Sequence, residues 1–207
     1  MTGVKNLLSS IALIPPVASL TLVLAACGST TDTASMTTTT SLPSAASPVT
    51  KAANDTCPTA PPSDAAAPEW TLPGATGSIA VTGSTDAAAP LVTVTGPFTV
   101  GQTQVQTLQA GDGPVVAPTA TVSVCYMGVN GRDGTVFDSS YERGEPVEFA
   151  LDQVVPGFQK AIAGQKVGST VAVAMVPADG YPQGQPSAGI EPGDSLIFAI
   201  KILGASS

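Results

Sequence analysis

The chain has 207 residues, of which 7 are Lys or Arg and 15 are Asp or Glu, so that the formal net charge is −8. This balance excludes nucleic-acid binding through general electrostatics, because phosphates require a basic patch. The sequence contains no histidine, which excludes Ser-His-Asp and Cys-His catalysis and removes the commonest metal ligand. Three cysteines, Cys27, Cys57 and Cys125, lie too far apart for a C-x-x-C motif. We predict neither a metal nor a cofactor.

The first 26 residues have the organisation of an export signal. Lys5 supplies a positive charge, an apolar stretch covers 7–26, and small residues precede Cys27. The alternative is an uncleaved membrane helix. Pro15 and Pro16 argue against it, because they leave only about ten uninterrupted apolar residues where a span needs about 20.

The end of this apolar stretch, Leu24-Ala25-Ala26-Cys27, resembles the lipobox of bacterial lipoproteins. In that motif the cysteine thiol receives a diacylglyceryl group and the peptide is cut just before it. The resemblance implies a signal peptide over 1–26, lipidation of Cys27, and an extracytoplasmic protein anchored to a bacterial cell membrane. Two or more acyl chains hold a protein stably at a membrane, whereas one does not.

Residues 27–67 are rich in Ser, Thr, Ala and Pro and hold almost no large apolar side chain. Such a segment cannot bury enough surface to offset its ordering entropy, so we predict a disordered tether. Its roughly 39 residues would average about 35 Å end to end and hold a domain clear of the headgroups.

Residues 68–90 lie between the predicted tether and the strand-rich part of the chain. Trp70 and Leu72 alternate with polar neighbours, as do Ile79 and Val81. This period predicts a small β-rich extension. The single Trp is expected to pack on the domain that follows.

From Leu91 onward strand patterns dominate, at 91–94, 105–108, 121–127, 170–176 and 196–203. Asn130-Gly131 and Asp133-Gly134 predict a hairpin. One helix is predicted over 156–163, because Pro156 suits a first turn and Phe158 and Ile162 share a face. One short helix among antiparallel strands indicates an α+β fold, in which the helix covers one face of a twisted sheet.

Over 91–204 the order of several motifs resembles the FKBP-type peptidyl-prolyl cis–trans isomerase domain. The matching pieces are Val124-Cys125-Tyr126-Met127-Gly128, Val136-Phe137-Asp138-Ser139-Ser140, Arg143-Gly144, Pro146, Phe149-Ala150-Leu151, Val154-Val155-Pro156-Gly157-Phe158, Lys166-Val167-Gly168, Pro177, Tyr181, Ile190-Glu191-Pro192 and Leu196-Ile197-Phe198. The resemblance implies an FKBP-like sheet wrapped around the helix, and rotation of X-Pro bonds without a cofactor.

The resemblance also implies an apolar well for the proline ring. Its lining would be Tyr126, Phe137, Val154, Val155, Phe158, Ile190 and Phe198. Phe158 would form the floor. The backbone N–H of Val155 and the hydroxyl of Tyr181 would hold substrate carbonyls. Asp138 would lie at the rim, oriented by Arg143.

Two positions depart from the family pattern. The floor is more commonly Trp than Phe158, and Val147 stands where the family often has an aromatic side chain. Both changes put peptide preference and macrolide binding in question. Apart from the family pattern, the phenylalanines would be interpreted as core residues and Asp138 as a turn residue. Phe149 is expected to remain a core wall.

The resemblance implies an isomerase that binds proline-containing polypeptides and macrolides such as rapamycin, and we expect a monomer. Its partners would be exported proteins at the cell envelope. Two alternatives stay open: a binding module that holds proline peptides with little turnover, and a structural envelope lipoprotein.

We also predict a disulfide between Cys57 and Cys125. Once Cys27 is lipidated, two cysteines remain in an exported chain, and export favours oxidation. Val122, Val124 and Tyr126 share one face of their strand, so Cys125 points to the opposite face. That face is free to receive the segment around Cys57. The alternative is a free, half-buried Cys125 with Cys57 in the tether.

Overall fold

The computed structural model describes residues 56–63 and 66–206. The predicted signal, the lipidation site at Cys27 and most of the predicted tether lie outside the described residues. The described elements are β1 (Trp70–Pro73), β2 (Thr76–Thr82), β3 (Leu91–Thr99), β4 (Gln104–Gln109), β5 (Thr121–Asn130), β6 (Val136–Ser139), α1 (Ser140–Arg143), β7 (Val147–Ala150), α2 (Pro156–Ile162), β8 (Thr170–Met175) and β9 (Leu196–Ser206). Short 3-10 turns cover Leu151–Gln153, Pro177–Asp179 and Pro186–Ala188.

The main sheet has six strands in antiparallel pairing. Five follow the order β4-β8-β9-β5-β6, and β7 pairs with β5 beside β6. One face of this sheet packs against α2, and the residues between them form the main core. The predicted α+β fold with an antiparallel sheet around a short helix is therefore confirmed.

Helix α2 begins at Pro156, whose fixed φ suits a first turn, and it buries Phe158, Ala161 and Ile162. Gly157 brings the helix close to β8. A Cβ at this position would lie 2.7 Å from Sδ of Met175. Glycine therefore sets how deeply α2, and with it Phe158, lies against the sheet.

Helix α1 was not predicted, since the sequence pattern indicated a single helix, over 156–163. It is a single turn, with Ser139 as its N-cap accepting from the Glu142 backbone N–H at 3.3 Å. Gly144 ends it in the left-handed conformation, with φ 74°. The pattern Ser-x-x-Glu at 139–142 is a capping box, so the sequence did hold a signal for this helix.

The other face of the main sheet is covered by a three-stranded antiparallel sheet, β1-β2-β3. Leu72, Ile79, Val81 and Phe98 of the small sheet pack there, and Trp70 packs against them as predicted. The main sheet meets them chiefly with small or β-branched side chains, Ala172, Ala174, Ala199, Ile197 and Val129. Strand β3, expected at the start of the isomerase domain, pairs instead with β2 of the extension.

Residues 56–63, which composition assigns to the tether, form an arm against β5 and α1. The structure contains the predicted disulfide between Cys57 and Cys125, whose Cα atoms are 5.7 Å apart. Both side chains are buried. The Cys57 backbone N–H also donates to the Gly144 carbonyl at 3.0 Å. The tether prediction is therefore wrong for residues 56–63.

Removing this disulfide should lower the free energy of unfolding. The bond spans a sequence separation of 68, and chain-entropy scaling for a loop of this length gives about 4 kcal/mol. Denaturant unfolding of the Cys57→Ala/Cys125→Ala variant measures the loss. Adding a dithiol reductant to the wild type should lower its free energy of unfolding to that of the variant. A loss below about 1 kcal/mol would contradict the expectation.

Candidate active site

A pocket of about 400 Å³ opens between the inner face of the main sheet and the amino-terminal end of α2. Aromatic and aliphatic side chains form most of its lining, and one carboxylate stands among them. The lining residues are Tyr126, Phe137, Asp138, Phe149, Gln153, Val154, Val155, Phe158, Tyr181 and Phe198. The pocket thus has the size and the apolar character of a small-molecule or side-chain site.

The rings of the pocket hold one another by edge-to-face packing around Phe158. Its centroid lies 5.4 Å from that of Phe198, 5.6 Å from Phe149 and 5.9 Å from Tyr126, with interplanar angles of 75–87°. Aromatic pairs prefer this geometry, and each contributes about 0.5–1.5 kcal/mol beyond area burial. These contacts set the relative orientation of the rings that form the well.

Gly128 makes room for the outer wall. It follows Tyr126 by two residues in β5 and so faces the same side of the sheet. A Cβ here would lie 2.6 Å from the ring of Phe137 and 2.9 Å from that of Phe198. These two rings pack edge to face at 5.5 Å. The prediction of pocket residues missed Gly128, although a glycine inside a strand often marks such a close approach.

At the rim, three polar side chains form a closed set. Arg143 Nη1 donates to Asp138 Oδ1 at 2.7 Å, and the Tyr126 hydroxyl donates to Asp138 Oδ2. Arg143 Nη2 also donates to the Tyr126 hydroxyl at 3.3 Å. Asp138 is thus held in one orientation by two donors, and Arg143 bridges it to the tyrosine.

The protonation states of this set follow from its contacts. Burial, together with the hydrogen bond to Asp138, raises the pKa of Tyr126 to about 12. Burial alone would raise the pKa of Asp138, but the hydrogen bonds from Tyr126 and Arg143 outweigh it and hold that pKa below its ordinary value. At neutral pH the rim therefore carries an ionised Asp138 and a neutral Tyr126.

Two donors at the pocket wall are available to a ligand. Val155, which precedes α2, and Tyr181, in the loop after β8, both line the pocket. Within residues 56–63 and 66–206, the Val155 backbone N–H and the Tyr181 hydroxyl have no hydrogen-bond partner. Each can therefore donate to a carbonyl of a bound peptide.

The structure brings most of the predicted pocket residues together, but Ile190 and Val147 do not line the pocket. Ile190 does not line the pocket, because its side chain is 2 % exposed and packs in the main core. Val147 packs against the same core. Arg143, which was predicted to orient Asp138, stands outside the lining and pairs with that carboxylate. Val147 and Phe149 lie two residues apart in β7 and therefore share a face of the strand. Phe149, and not Val147, supplies the ring at this wall, and its centroid lies 5.7 Å from that of Tyr126.

Phe149 and Gln153 line the pocket without having been predicted there. Phe149 was expected to be a core wall, and Gln153 carried no pattern that marked it.

In the part of the chain that the structure describes, no group of three His, Cys, Asp or Glu side chains could hold a metal ion. None of the described helices is long and apolar enough to cross a membrane.

Comparison with known proteins identifies the family whose motif order the sequence resembles. The family described as FKBP-type peptidyl-prolyl cis-trans isomerase matches residues 113–203. An FK506-binding protein of Streptomyces anulatus is 40% identical over 98 residues, which cover 45% of this chain and 77% of that protein. This chain belongs to the FKBP family. The FKBP match covers β5 to β9, which hold the whole pocket, and leaves out β1 to β4.

Other FKBP relatives are longer than the matched region. A probable FKBP-type isomerase of Haemophilus influenzae is 42% identical over 94 residues, covering 45% of this chain and 39% of that protein. The crystal structure of FkpA from Escherichia coli is 34% identical, with a TM-score of 0.46, and covers 50% of this chain and 48% of that one. The chain thus spans less than half the length of the curated relatives from these two organisms.

Replacing Arg143 by Met should raise the pKa of Asp138 toward its ordinary value, because it removes a hydrogen bond and a positive charge. Carbon-13 NMR of the carboxyl group between about pH 2 and 6 measures the change. Since the folded pKa is depressed, Asp138 stabilises the fold above its unfolded pKa of about 3.9, and this contribution is lost as pH falls through the lower folded value.

Lys160→Met is the matched control. Lys160 is 2.7 Å from Asp179 and does not contact the rim, so its loss should raise the pKa of Asp179 and leave Asp138 unchanged. An Asp138 titration that is the same in wild type and Arg143→Met would show that the ion pair does not form in solution.

Proposed function

We propose that this protein catalyses cis–trans isomerisation of X-Pro peptide bonds in the pocket formed by β5 to β9 and α2. The observation that carries the proposal is the preformed aromatic well, with an ionised Asp138 at its rim and two unengaged donors, Val155 and Tyr181, in its wall. The family membership of the chain supports the same activity.

The chemistry requires no nucleophile. Amide resonance sets a rotation barrier of about 18–20 kcal/mol, and no bond breaks during rotation. The well formed by Phe137, Phe158 and Phe198 holds the proline ring while the preceding carbonyl turns. An apolar surrounding disfavours the charge-separated planar amide, and fixed donors favour the twisted one. Asp138 contributes a fixed negative charge next to the rotating bond.

Pocket variants should separate the contribution of apolar surface from that of one hydrogen bond. Phe137→Ala should lower kcat/KM by about one to two orders of magnitude, since burial of such a side chain is worth roughly 1.5–3 kcal/mol. Tyr181→Phe should lower it by about tenfold or less, because it removes a single hydrogen bond. A protease-coupled assay on Leu-Pro and Phe-Pro peptides measures both.

Thr71→Ala is the control for that assay, because Thr71 is exposed on β1 of the small sheet, and its activity should equal that of wild type. No acceleration by wild-type protein would reject the isomerase. If a proline peptide then still shifts the NMR signals of Tyr181 and Phe158, the protein is a binding module. The Phe158 floor, where the family more commonly has Trp, makes macrolide affinity a separate measurement with rapamycin.

We further propose that the domain acts on exported proteins outside the cytoplasm, anchored through a lipid on Cys27 and a tether that ends before the arm. The lipobox-like sequence 24–27 supports the anchor. The disulfide between Cys57 and Cys125 supports export, because disulfides persist in oxidising compartments.

Cys27→Ala should prevent lipidation and leave the signal uncleaved. Mass spectrometry of the protein from the membrane fraction of a bacterial host should show diacylglyceryl mass on Cys27 in wild type and none in the variant. Cys57→Ala is the control, since it should retain the lipid. A wild-type mature protein that begins elsewhere and is unmodified would reject the anchor.

A further inference from the structure

We propose that the amino-terminal arm and the extension are a working part of the isomerase site: Cys57 and Ser84 hold α1 in place, so that Arg143 keeps Asp138 and Tyr126 in their rim geometry. This inference rests on the proposed function, because it concerns the efficiency of the same site. Both anchoring residues lie outside the family-matched region 113–203, so the support comes from a part of the chain that the family match does not include.

Helix α1 needs such support because it is one turn long. A single helical turn has no stability of its own in water. Ser140 and Tyr141 face inward and are buried, whereas Glu142 and Arg143 face solvent. The position of Arg143 therefore depends on what Ser140 and Tyr141 contact beneath the helix.

The first contact comes from the extension. The Tyr141 hydroxyl and Ser84 Oγ form a hydrogen bond of 2.8 Å, and both side chains are buried. Ser84 lies two residues after the end of β2, so this bond fixes the underside of α1 to the small sheet. Burial raises the pKa of Tyr141 far above its ordinary value, so the hydroxyl keeps its proton and the bond persists across the physiological pH range.

The second contact concerns a gap in the main sheet. Strand β7 pairs with residues 121–124 of β5, and β6 pairs with 127–129. The backbone of Tyr126 lies in the gap between them. Ser140 Oγ fills it, accepting from the Tyr126 N–H at 2.8 Å and lying 3.4 Å from its carbonyl. The same Oγ is 3.5 Å from Sγ of Cys57, so the disulfide packs against the group that holds Tyr126.

The third contact lies at the other end of α1. The Cys57 N–H donates to the carbonyl of Gly144, which is the residue after Arg143. The arm therefore meets α1 at its first residue, Ser140, and at Gly144, which ends it, while Ser84 contacts Tyr141 in its middle. Together the three contacts fix the base from which Arg143 reaches Asp138.

The test compares Tyr141→Phe and Ser84→Ala with Leu72→Ala. Loss of the Tyr141–Ser84 bond should lower kcat/KM for X-Pro peptides by about tenfold through kcat, since small displacements of positioned groups have large effects on rate. It should also raise the pKa of Asp138. Leu72→Ala removes apolar contact between the small sheet and the main sheet but does not touch α1. It should lower the melting temperature and leave kcat/KM and the Asp138 pKa as in wild type.

Assays are run well below the melting temperature of each variant, with circular dichroism to confirm folding. If either α1 variant fails to fold, Cys57→Ala/Cys125→Ala provides the second test, with the same expected loss of kcat and rise in the Asp138 pKa. Folded Tyr141→Phe and Ser84→Ala variants with wild-type kcat and Asp138 pKa overturn the inference. So does a loss of kcat in Leu72→Ala as large as theirs.

Failure of the proposed function is distinguishable from failure of this inference. If the wild type accelerates no X-Pro rotation, the isomerase proposal fails and kcat gives no comparison. The pKa of Asp138 still reports whether Ser84 and Tyr141 control the rim geometry, because that titration does not depend on turnover.

Discussion

Strand β5 is the element on which the rest of the structure depends, because its two faces serve two different surroundings. Tyr126 and Gly128 face the well, and Cys125 faces the arm on the other side. On one edge β5 pairs with β9 along its whole length, and on the other it pairs with β6 and β7 in turn. A shift of register by one residue would exchange the two faces and remove the pocket and the disulfide together.

The pocket combines a packed set of aromatic rings with one charged pair at its rim. The rings around Phe158 are packed against one another, so little conformational entropy remains to be lost when a ligand enters. The single charged pair at the rim, Asp138 with Arg143, is partly exposed and hydrogen-bonded, which avoids the cost of an isolated buried carboxylate. This arrangement suits a reaction that moves a carbonyl and transfers neither a proton nor an electron pair.

Much of the fold and of the pocket could be predicted from the sequence, because the alternation of apolar residues and the order of motifs are strong signals. The faces of β5, the start of α2 at Pro156 and the partner of Cys125 all follow from periodicity and from the cysteine count. Helix α1 was missed because it is only one turn long, although its capping box was present. Ile190 and Phe149 were exchanged between core and pocket because motif order gives the sequence position of a residue but not the depth of its side chain. The pairing of β3 with β2 is a choice of partner between separate strands, which local pattern does not report.

The disulfide between Cys57 and Cys125 has a mechanical consequence. A pull on the chain from the amino-terminal side of Cys57 passes through the sulfur–sulfur bond directly into β5, the most extensively paired strand of the main sheet. The chain between the two cysteines, a sequence separation of 68 that includes β1 to β4, lies off this path and bears no load. Tension therefore cannot peel the small sheet away strand by strand, and it reaches the domain at the strand least able to slide.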